Sequence, residues 1–261
     1  MIRITFVLRR KPGMTREEFQ DYWRTNHGPL VASFANTLDI LRYVQVHAVG
    51  SAAAPSDGVR GQMEEPYDGV AELWWRSRDA LVAASGTPAG QAAGAALLED
   101  ERTFIDLPNS PLWVAHEYPQ VNPTPENIVA GGRNSIIKLH YPLRAKAGMA
   151  EADAQFYWRT NHGPLIRSWA PAMRILRYVQ VHRAQGDPLE AALRGPRGTA
   201  VDGYMGHAEL WFDRGIQGAP TQEAAAAAAA AAEDEAKFID FARSTIFYGK
   251  ENVVIDRRQQ A

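Results

Sequence analysis

The chain of 261 residues contains no cysteine. That excludes disulfides, thiolate metal ligands and a cysteine nucleophile, and it suits a reducing compartment. It also lacks a surplus of either charge, with 28 basic and 30 acidic residues and a formal net charge of −2. Such a balance gives no electrostatic footprint for nucleic acid or an anionic membrane surface. No apolar run approaches the ~18 residues of a membrane span, and Met1-Ile2-Arg3 acquires charge too early for a signal peptide. The cytoplasm is the expected setting. Phosphate-cradling glycine loops, a Gly-x-Ser-x-Gly elbow and a His-x-x-x-His pair are missing as well. Nucleotide, serine-nucleophile and zinc chemistry therefore have no motif to rest on, and neither metal nor cofactor is expected.

What the chain does have is a repeat. Tyr22-Trp23-Arg24-Thr25-Asn26-His27-Gly28-Pro29-Leu30 recurs letter for letter as Tyr157 to Leu165. In the same order, Ile40 to His47 recurs as Ile175 to His182, Ala71-Glu72-Leu73-Trp74 as Ala208 to Trp211, and Phe104-Ile105-Asp106 as Phe238 to Asp240. Repeated order of this kind marks a tandem duplication. Pro119, Pro123, Pro125, Gly131 and Gly132 punctuate the join. The expected division is residues 1–120, a linker over 121–133, and residues 134–261.

Within each copy the pattern reads strand, helix, strand, strand, helix, strand. Residues 2–8 and 136–141 alternate as a two-faced strand does. Thr15 is placed to cap a helix running to about Asn26, which Gly28-Pro29 should stop. Residues 41–47 and 70–75 read as the middle strands, 91–105 and 222–241 as the second helix, and 111–117 and 245–251 as the last strand; the alanine-rich stretches 89–96 and 224–232 favour helix and have little chemistry of their own. The order βαββαβ is that of a ferredoxin-like α+β unit. Helices cover one face of such a sheet and the other needs a partner, so two units are expected to pack sheet to sheet as a barrel within one chain.

Period-2 spacing sorts the polar residues by face. Tyr43, Gln45 and His47 share one face, as do Tyr178, Gln180 and His182; Glu72 goes with Trp74, and His207 with Glu209 and Trp211. If the apolar faces lie under the helices, these sets line the barrel as a small-molecule pocket. They can equally form a polar interface between the copies, with both tryptophans simply packed. His27 and His162 end the first helix of each copy, where an imidazole can interact with the helix dipole or move a proton at a pocket mouth. Copy two has His140 and His207 where copy one has Thr5 and Val70, and Lys250 where copy one has His116. That makes the second pocket the richer in ionisable groups.

Tyr-Trp-Arg-Thr-Asn-His-Gly-Pro-Leu followed by Arg-Tyr-Val-Gln-Val-His resembles the EthD domain of the dimeric α+β barrel superfamily, over nearly the whole chain, twice. The resemblance implies the ferredoxin-like fold and the barrel pairing. It leaves the activity open. The EthD domain takes its name from an ether-degradation cluster in which its role is auxiliary. EthD-like proteins of pigment and polyketide pathways resemble decarboxylases or dehydratases. Wider relatives include cyclases, lactone isomerases, cofactor-free monooxygenases and haem enzymes, and a fold does not choose among such chemistries.

Two functions stay open. The first is a cofactor-independent lyase, cyclase or isomerase acting on an aromatic or polyketide-like carbonyl compound. His162 and His140 would be acid/base groups with Tyr178, Gln180 and Glu209 orienting, and His27, Tyr43, Gln45 and Glu72 their counterparts. His47, His182, His207, Trp74, Trp211, Asn26 and Asn161 complete the candidate substrate-binding set. The second is a non-catalytic binding or accessory protein for a hydrophobic metabolite, with haem or oxygen use as a further branch. The partner expected in either case is a small hydrophobic or aromatic molecule, with a homodimer allowed.

Overall fold

A computed structural model describes residues 1–50, 56–57, 59–122, 128–216 and 219–258. Pro123 and Pro125, taken above as linker signals, lie outside the described residues. The strands are β1 (Ile2–Leu8), β2 (Arg42–Val49), the two-residue β3 (Ser56–Asp57) and β4 (Gly61–Gln62), β5 (Gly69–Trp75), β6 (Leu112–Val121), β7 (Ile136–Leu143), β8 (Arg177–Arg183), β9 (Gly206–Asp213) and β10 (Phe247–Asp256). The helices are α1 (Arg16–Tyr22), α2 (Gly28–Ser33), α3 (Arg78–Gly86), α4 (Pro88–Phe104), α5 (Glu151–Tyr157), α6 (Gly163–Trp169), α7 (Pro188–Arg194) and α8 (Gln222–Glu235). Thr15 caps α1 as expected. Its hydroxyl accepts from Glu18 N and the Glu18 carboxylate accepts from Thr15 N, a capping box of about 1 kcal/mol.

The result is an α+β fold: a closed β-barrel with flanking helices. Eight strands run in the cyclic order β1-β5-β2-β10-β7-β9-β8-β6, every neighbour antiparallel. The two copies join edge to edge, through β2 with β10 and β6 with β8, so the faces expected to meet are opposite walls of one barrel. Closure removes free sheet edges. Among the described residues, no helix is long and apolar enough to cross a membrane.

Three separate cores follow, one under the helices of each copy and one inside the barrel. Outside the barrel, α1, α2 and α4 pack on Ile2, Ile4, Phe6 and Leu8, and copy two repeats this with its own helices. Inside, Val44, Val46, Val70, Trp113, Val179 and Val181 pack together. The inner face also holds charge. The Arg3 guanidinium bonds Glu209 and lies 3.0 Å from Glu72 and 2.8 Å from Glu117. Lys138 Nζ lies 2.6 Å from Glu72, 3.2 Å from Glu209 and 3.4 Å from Glu251. Trp74 Nε1 donates to Glu117 and Trp211 Nε1 to Glu251, while Arg3 and Arg42 cover Trp74, and Lys138 and Arg177 cover Trp211.

Residues 1–120 alone would expose the β2 and β6 edges and half of this charge cluster. That fragment is expected to be insoluble or a homodimer on size-exclusion chromatography with light scattering. A soluble, folded monomer would contradict the architecture.

The buried network also sets an acid limit. Burial would push the Glu72 and Glu209 carboxyls up, but Arg3 and Lys138 outweigh it and hold both below the usual carboxylate range. Burial pushes His207 down to about 3 and lowers His140 as well. Both kinds of shift act in one direction. As pH falls below about 6.5 the unfolded chain takes up imidazole protons that the native barrel refuses; below about 4.5 it takes up carboxyl protons too. His207 alone should cost about 2 kcal/mol by about pH 5. The thermal midpoint should therefore drop steadily between about pH 6.5 and pH 4, and a midpoint unchanged from pH 7 to pH 5 would refute this account.

Candidate functional site

The register separates residues that the sequence pattern placed together. Arg42, Val44 and Val46 lie beside Trp74, Glu72 and Val70, whereas Tyr43 and Gln45 lie beside Leu73 and Ala71. Glu72 and Trp74 thus point into the barrel, and Tyr43, Gln45 and His47 point outward under the helices. Copy two divides the same way, with Glu209 and Trp211 inside and Tyr178, Gln180 and His182 outside. The expectation that both sets line one pocket is corrected. Its premise was that the mainly apolar faces lie under the helices, whereas Tyr43 and Gln45 share the helix side with Leu73 and Ala71. All seven residues of β1 are buried, inner and outer alike, so alternation shows which residues share a face without showing which face it is.

The cavities lie on the outer side, between helices and barrel. Cavity one has a volume of about 510 Å³ and a mainly apolar wall that includes Ile4, Phe6, Trp23, Leu73, Trp75 and Leu97, with His27 and Tyr43 among its few polar groups. Cavity two, at about 330 Å³, has the matching wall in copy two with His162 and Tyr178. Both fall in the size range of small-molecule sites. Each is completed by the opposite copy. Leu193, Pro196 and Arg197, on α7 and the turn after it, cover cavity one, and Arg197 makes a two-pronged bond to Glu101 at 2.7 and 2.8 Å. Arg60 and Met63 of copy one reach cavity two, where Arg60 binds Glu235 at 2.9 and 3.3 Å.

Gly28-Pro29 does not stop the first helix. A π turn over Trp23–His27 carries it into α2, with Gly28 N–H bonded to Trp23 O five residues back. Pro29 falls in the first turn of α2, directly after that π turn. The glycine is needed for space: a Cβ on Gly28 would lie 2.9 Å from Gln45 Nε2, and one on Gly163 2.9 Å from Gln180 Nε2. His27 and His162 therefore stand within a continuous helix at a π turn, a geometry common at functional sites, and not at a helix C-terminus.

Each of these histidines is held by a carboxylate. His27 Nδ1 lies 2.6 Å from Asp100 Oδ2, and His162 Nδ1 2.8 Å from Asp234 Oδ2. A carboxylate only accepts, so Nδ1 carries the proton and Nε2 keeps its lone pair. Nε2 of each ring has no hydrogen-bond partner among the described residues. The bond from His27, helped by Tyr22, holds the Asp100 carboxyl below its usual range. At Asp234 burial works upward, and hydrogen bonds from Lys237, Tyr157 and His162 outweigh it.

Behind each cavity runs a second row. Gln45 Nε2 donates to Trp23 O at 2.7 Å and Gln180 Nε2 to Trp158 O at 2.9 Å; His47 packs at a tilt against Trp23 with ring centres 4.6 Å apart, while His182 stacks on Trp158 at 4.5 Å. Burial pushes His47 and His182 down to about 3, so both stay neutral. They support the pocket wall and do not line it. Asn26 and Asn161 are exposed and accept from the neighbouring threonine hydroxyls, away from both cavities.

His140 and His207 lie in the barrel, stacked at 5.3 Å, with His140 Nε2 3.1 Å from Glu72 and His207 Nε2 2.9 Å from Glu209. The idea that they enrich the second pocket is corrected by that placement. Donor atoms of Glu72, His140, His207 and Glu209 lie within 4.8 Å of one another, which is a possible ligand set for a metal. Arg3 and Lys138 already neutralise both carboxylates from within the cluster. A divalent cation would have to displace a buried guanidinium and ammonium, so these donors fit cationic side chains better than a metal.

Asp100, Glu101, Asp234 and Glu235 escaped sequence reasoning. Their signal was on the page: Glu99-Asp100-Glu101 and Glu233-Asp234-Glu235 repeat just before the Phe-Ile-Asp block. A repeated acid on a helix is ordinary by itself, and only the fold brings it against the histidine.

Comparison with known proteins agrees with the architecture. Among solved structures, an anthrone oxidase-like protein superposes with a TM-score of 0.56 at 10% identity, covering 98% of this chain and 94% of its own. A candidate monooxygenase from Fusobacterium nucleatum subsp. nucleatum ATCC 25586 gives 0.47 at 7% identity, with 97% and 93% covered. A candidate chlorite dismutase gives 0.45 at 12% identity, with 97% and 95% covered. At such identities the first likeness speaks for the fold alone. No curated protein matches the chain in sequence. The EthD domain model matches residues 11–108 and 146–242, which takes in both histidine–aspartate pairs and the π turns that carry them. The chain belongs to the EthD domain family, with two such domains in tandem.

Proposed function

We propose that the chain is two ferredoxin-like βαββαβ units, residues 1–120 and 134–261 joined by 121–133, fused into one barrel. On this reading it is a cofactor-independent lyase, cyclase or isomerase of an aromatic or polyketide-like carbonyl compound. The observation that carries this reading is the His27–Asp100 pair in the wall of an apolar cavity, repeated as His162–Asp234. An imidazole whose Nδ1–H is held by a carboxylate presents a basic Nε2, and the carboxylate stabilises the imidazolium that forms. His27 Nε2 takes a proton from the carbon beside a carbonyl and returns it at another position. That transfer suffices for isomerisation and for the enolate step of cyclisation or dehydration. Apolar walls of this size suit a ring-bearing substrate.

Cavity one is the larger, and with His140 and His207 inside the barrel the reason for favouring copy two is gone. We therefore place the principal site at His27. Aryl ketones and 1,3-diketones incubated with the full chain in heavy water should exchange the hydrogen beside the carbonyl, read by proton NMR. Prior dialysis against a chelator should not change the rate. His27→Gln should reduce exchange by about 10²–10⁴-fold, and His162→Gln by less. Tight binding of these compounds without exchange would favour the accessory-binding reading, and neither binding nor exchange would overturn both.

A further inference from the structure

The Tyr43 hydroxyl is held by two donors: Trp23 Nε1 at 2.9 Å and Gln45 Nε2 at 3.2 Å. The indole can only donate. The Gln45 amide cannot be turned round, because the same Nε2 lies 2.7 Å from Trp23 O, which can only accept. Its other end is fixed too, with Gln45 Oε1 accepting from Asn252 Nδ2 at 2.9 Å and facing His47 Nε2 at 3.2 Å. A phenol has one hydrogen and two lone pairs. Both lone pairs are taken, so the hydrogen has to be donated elsewhere. No acceptor for it exists among the described residues, and Tyr43 is 1% exposed in the wall of cavity one. Copy two repeats the contacts to the hydroxyl: Tyr178 receives Trp158 Nε1 at 2.9 Å and Gln180 Nε2 at 3.1 Å, Gln180 Nε2 is fixed by Trp158 O at 2.9 Å, and Gln180 Oε1 faces His182 Nε2 at 3.1 Å.

We propose that Tyr43 donates its phenol hydrogen to the carbonyl oxygen of a substrate in cavity one and holds that oxygen as it becomes an enolate, Tyr178 doing the same in cavity two. The step rests on the acid/base reading above. The proton leaves carbon for His27 Nε2, the C–H electron pair becomes the C=C bond, and the carbonyl π pair moves onto oxygen. Tyr43 keeps its hydrogen throughout. Burial disfavours the phenolate and outweighs the opposing pull of the two donors, so the phenol stays protonated and acts by hydrogen bonding. Two hydrogen bonds into the oxygen polarise the O–H outward and make it the stronger donor. Trp23, Gln45 and, through Gln45, His47 are positioning residues for that hydroxyl.

The test uses 2-naphthol, an aryl oxyanion when ionised, and naphthalene, which has the same ring and no oxygen. Both are titrated into the full chain by calorimetry, with the naphtholate absorption band reporting ionisation. Tyr43→Phe combined with Tyr178→Phe should weaken naphtholate binding about tenfold, the value of one hydrogen bond to a charged group, and leave naphthalene affinity unchanged. Losing the phenol oxygen strands two donors, so a second variant guards against misfolding. 3-Fluorotyrosine placed at position 43 keeps every bond, makes the phenol more acidic, and should tighten naphtholate binding. Naphtholate affinity unmoved by both changes, or an equal loss of naphthalene binding, would overturn the tyrosine's role and leave the His27 reading standing. A wild-type chain that binds neither compound would overturn the cavity reading and this proposal with it.

Discussion

Closing an eight-stranded sheet on itself hides its inner face, the helices laid outside hide most of the other, and this constraint shapes everything else in the molecule. An open sheet can leave polar side chains on a solvated face. Here little of either face is solvated, so a polar residue on the sheet needs a partner inside the barrel or beneath the helices. On the inner side the solution is a compact charge cluster in which Arg3 and Lys138 are shared among Glu72, Glu209, Glu117 and Glu251. Such buried pairs add little over well-packed apolar residues, yet stripping one partner leaves a naked charge at a cost of roughly 3–5 kcal/mol. Arg3 of copy one bonds Glu209 of copy two, and Lys138 of copy two bonds Glu72 of copy one. Each half thereby depends on the other for its electrostatics as well as for its strand edges.

On the outer side the same constraint gives a different outcome. Large side chains from the strands meet helices whose facing residues are small: Gly90, Gly94 and Ala95 on α4, Ala228 and Ala231 on α8. Small residues let a helix stand over the sheet without filling the gap. The alanine-rich segments therefore matter through the volume they leave empty. The π turn works alongside this. By widening the helix at Trp23–His27 it points His27 into the space while Asp100, one helix away, fixes its ring. An apolar room with one oriented imidazole is a setting in which proton transfer gains from exclusion of water.

Much of this was legible in the letters. The duplication, the Thr15 cap and the barrel pairing all follow from local pattern, because repeats, capping residues and period-2 alternation are local signals. The site was legible only in part. His27, His162, Tyr43 and Tyr178 do reach cavities, but Glu72, Trp74, Glu209, Trp211, His140 and His207 belong to the barrel interior. Alternation cannot tell one buried face from another; only the register of Tyr43 against Leu73 does that. Asp100 was missed because its role depends on α4 lying across α1 and α2, a long-range fact. Gly28 was read as a helix stop because Gly-Pro usually is one, and tertiary packing against Gln45 overrode the local preference.

The duplication also leaves the two cavities free to differ. In a symmetric pair of separate subunits any change in a cavity wall appears twice. Fusion lifts that restriction, and the walls have diverged while the chemistry has not. Gly94 and Leu97 of cavity one stand where cavity two has Ala228 and Ala231, and Phe6 stands where it has Tyr141. The covers differ more: α7 and its following turn close cavity one, whereas the segment carrying Arg60 and Met63 closes cavity two. Against these changes the His–Asp pair, the Trp–Tyr–Gln–His row and the π turn recur bond for bond. Trp23, His27 and Tyr43 face the void as the varied residues do, but each is tied by hydrogen bonds to repeated partners, whereas Phe6, Gly94 and Leu97 offer the void only apolar surface. Both groups share each cavity wall, so the repeated polar residues keep one arrangement while the apolar positions and covers around them set two different shapes.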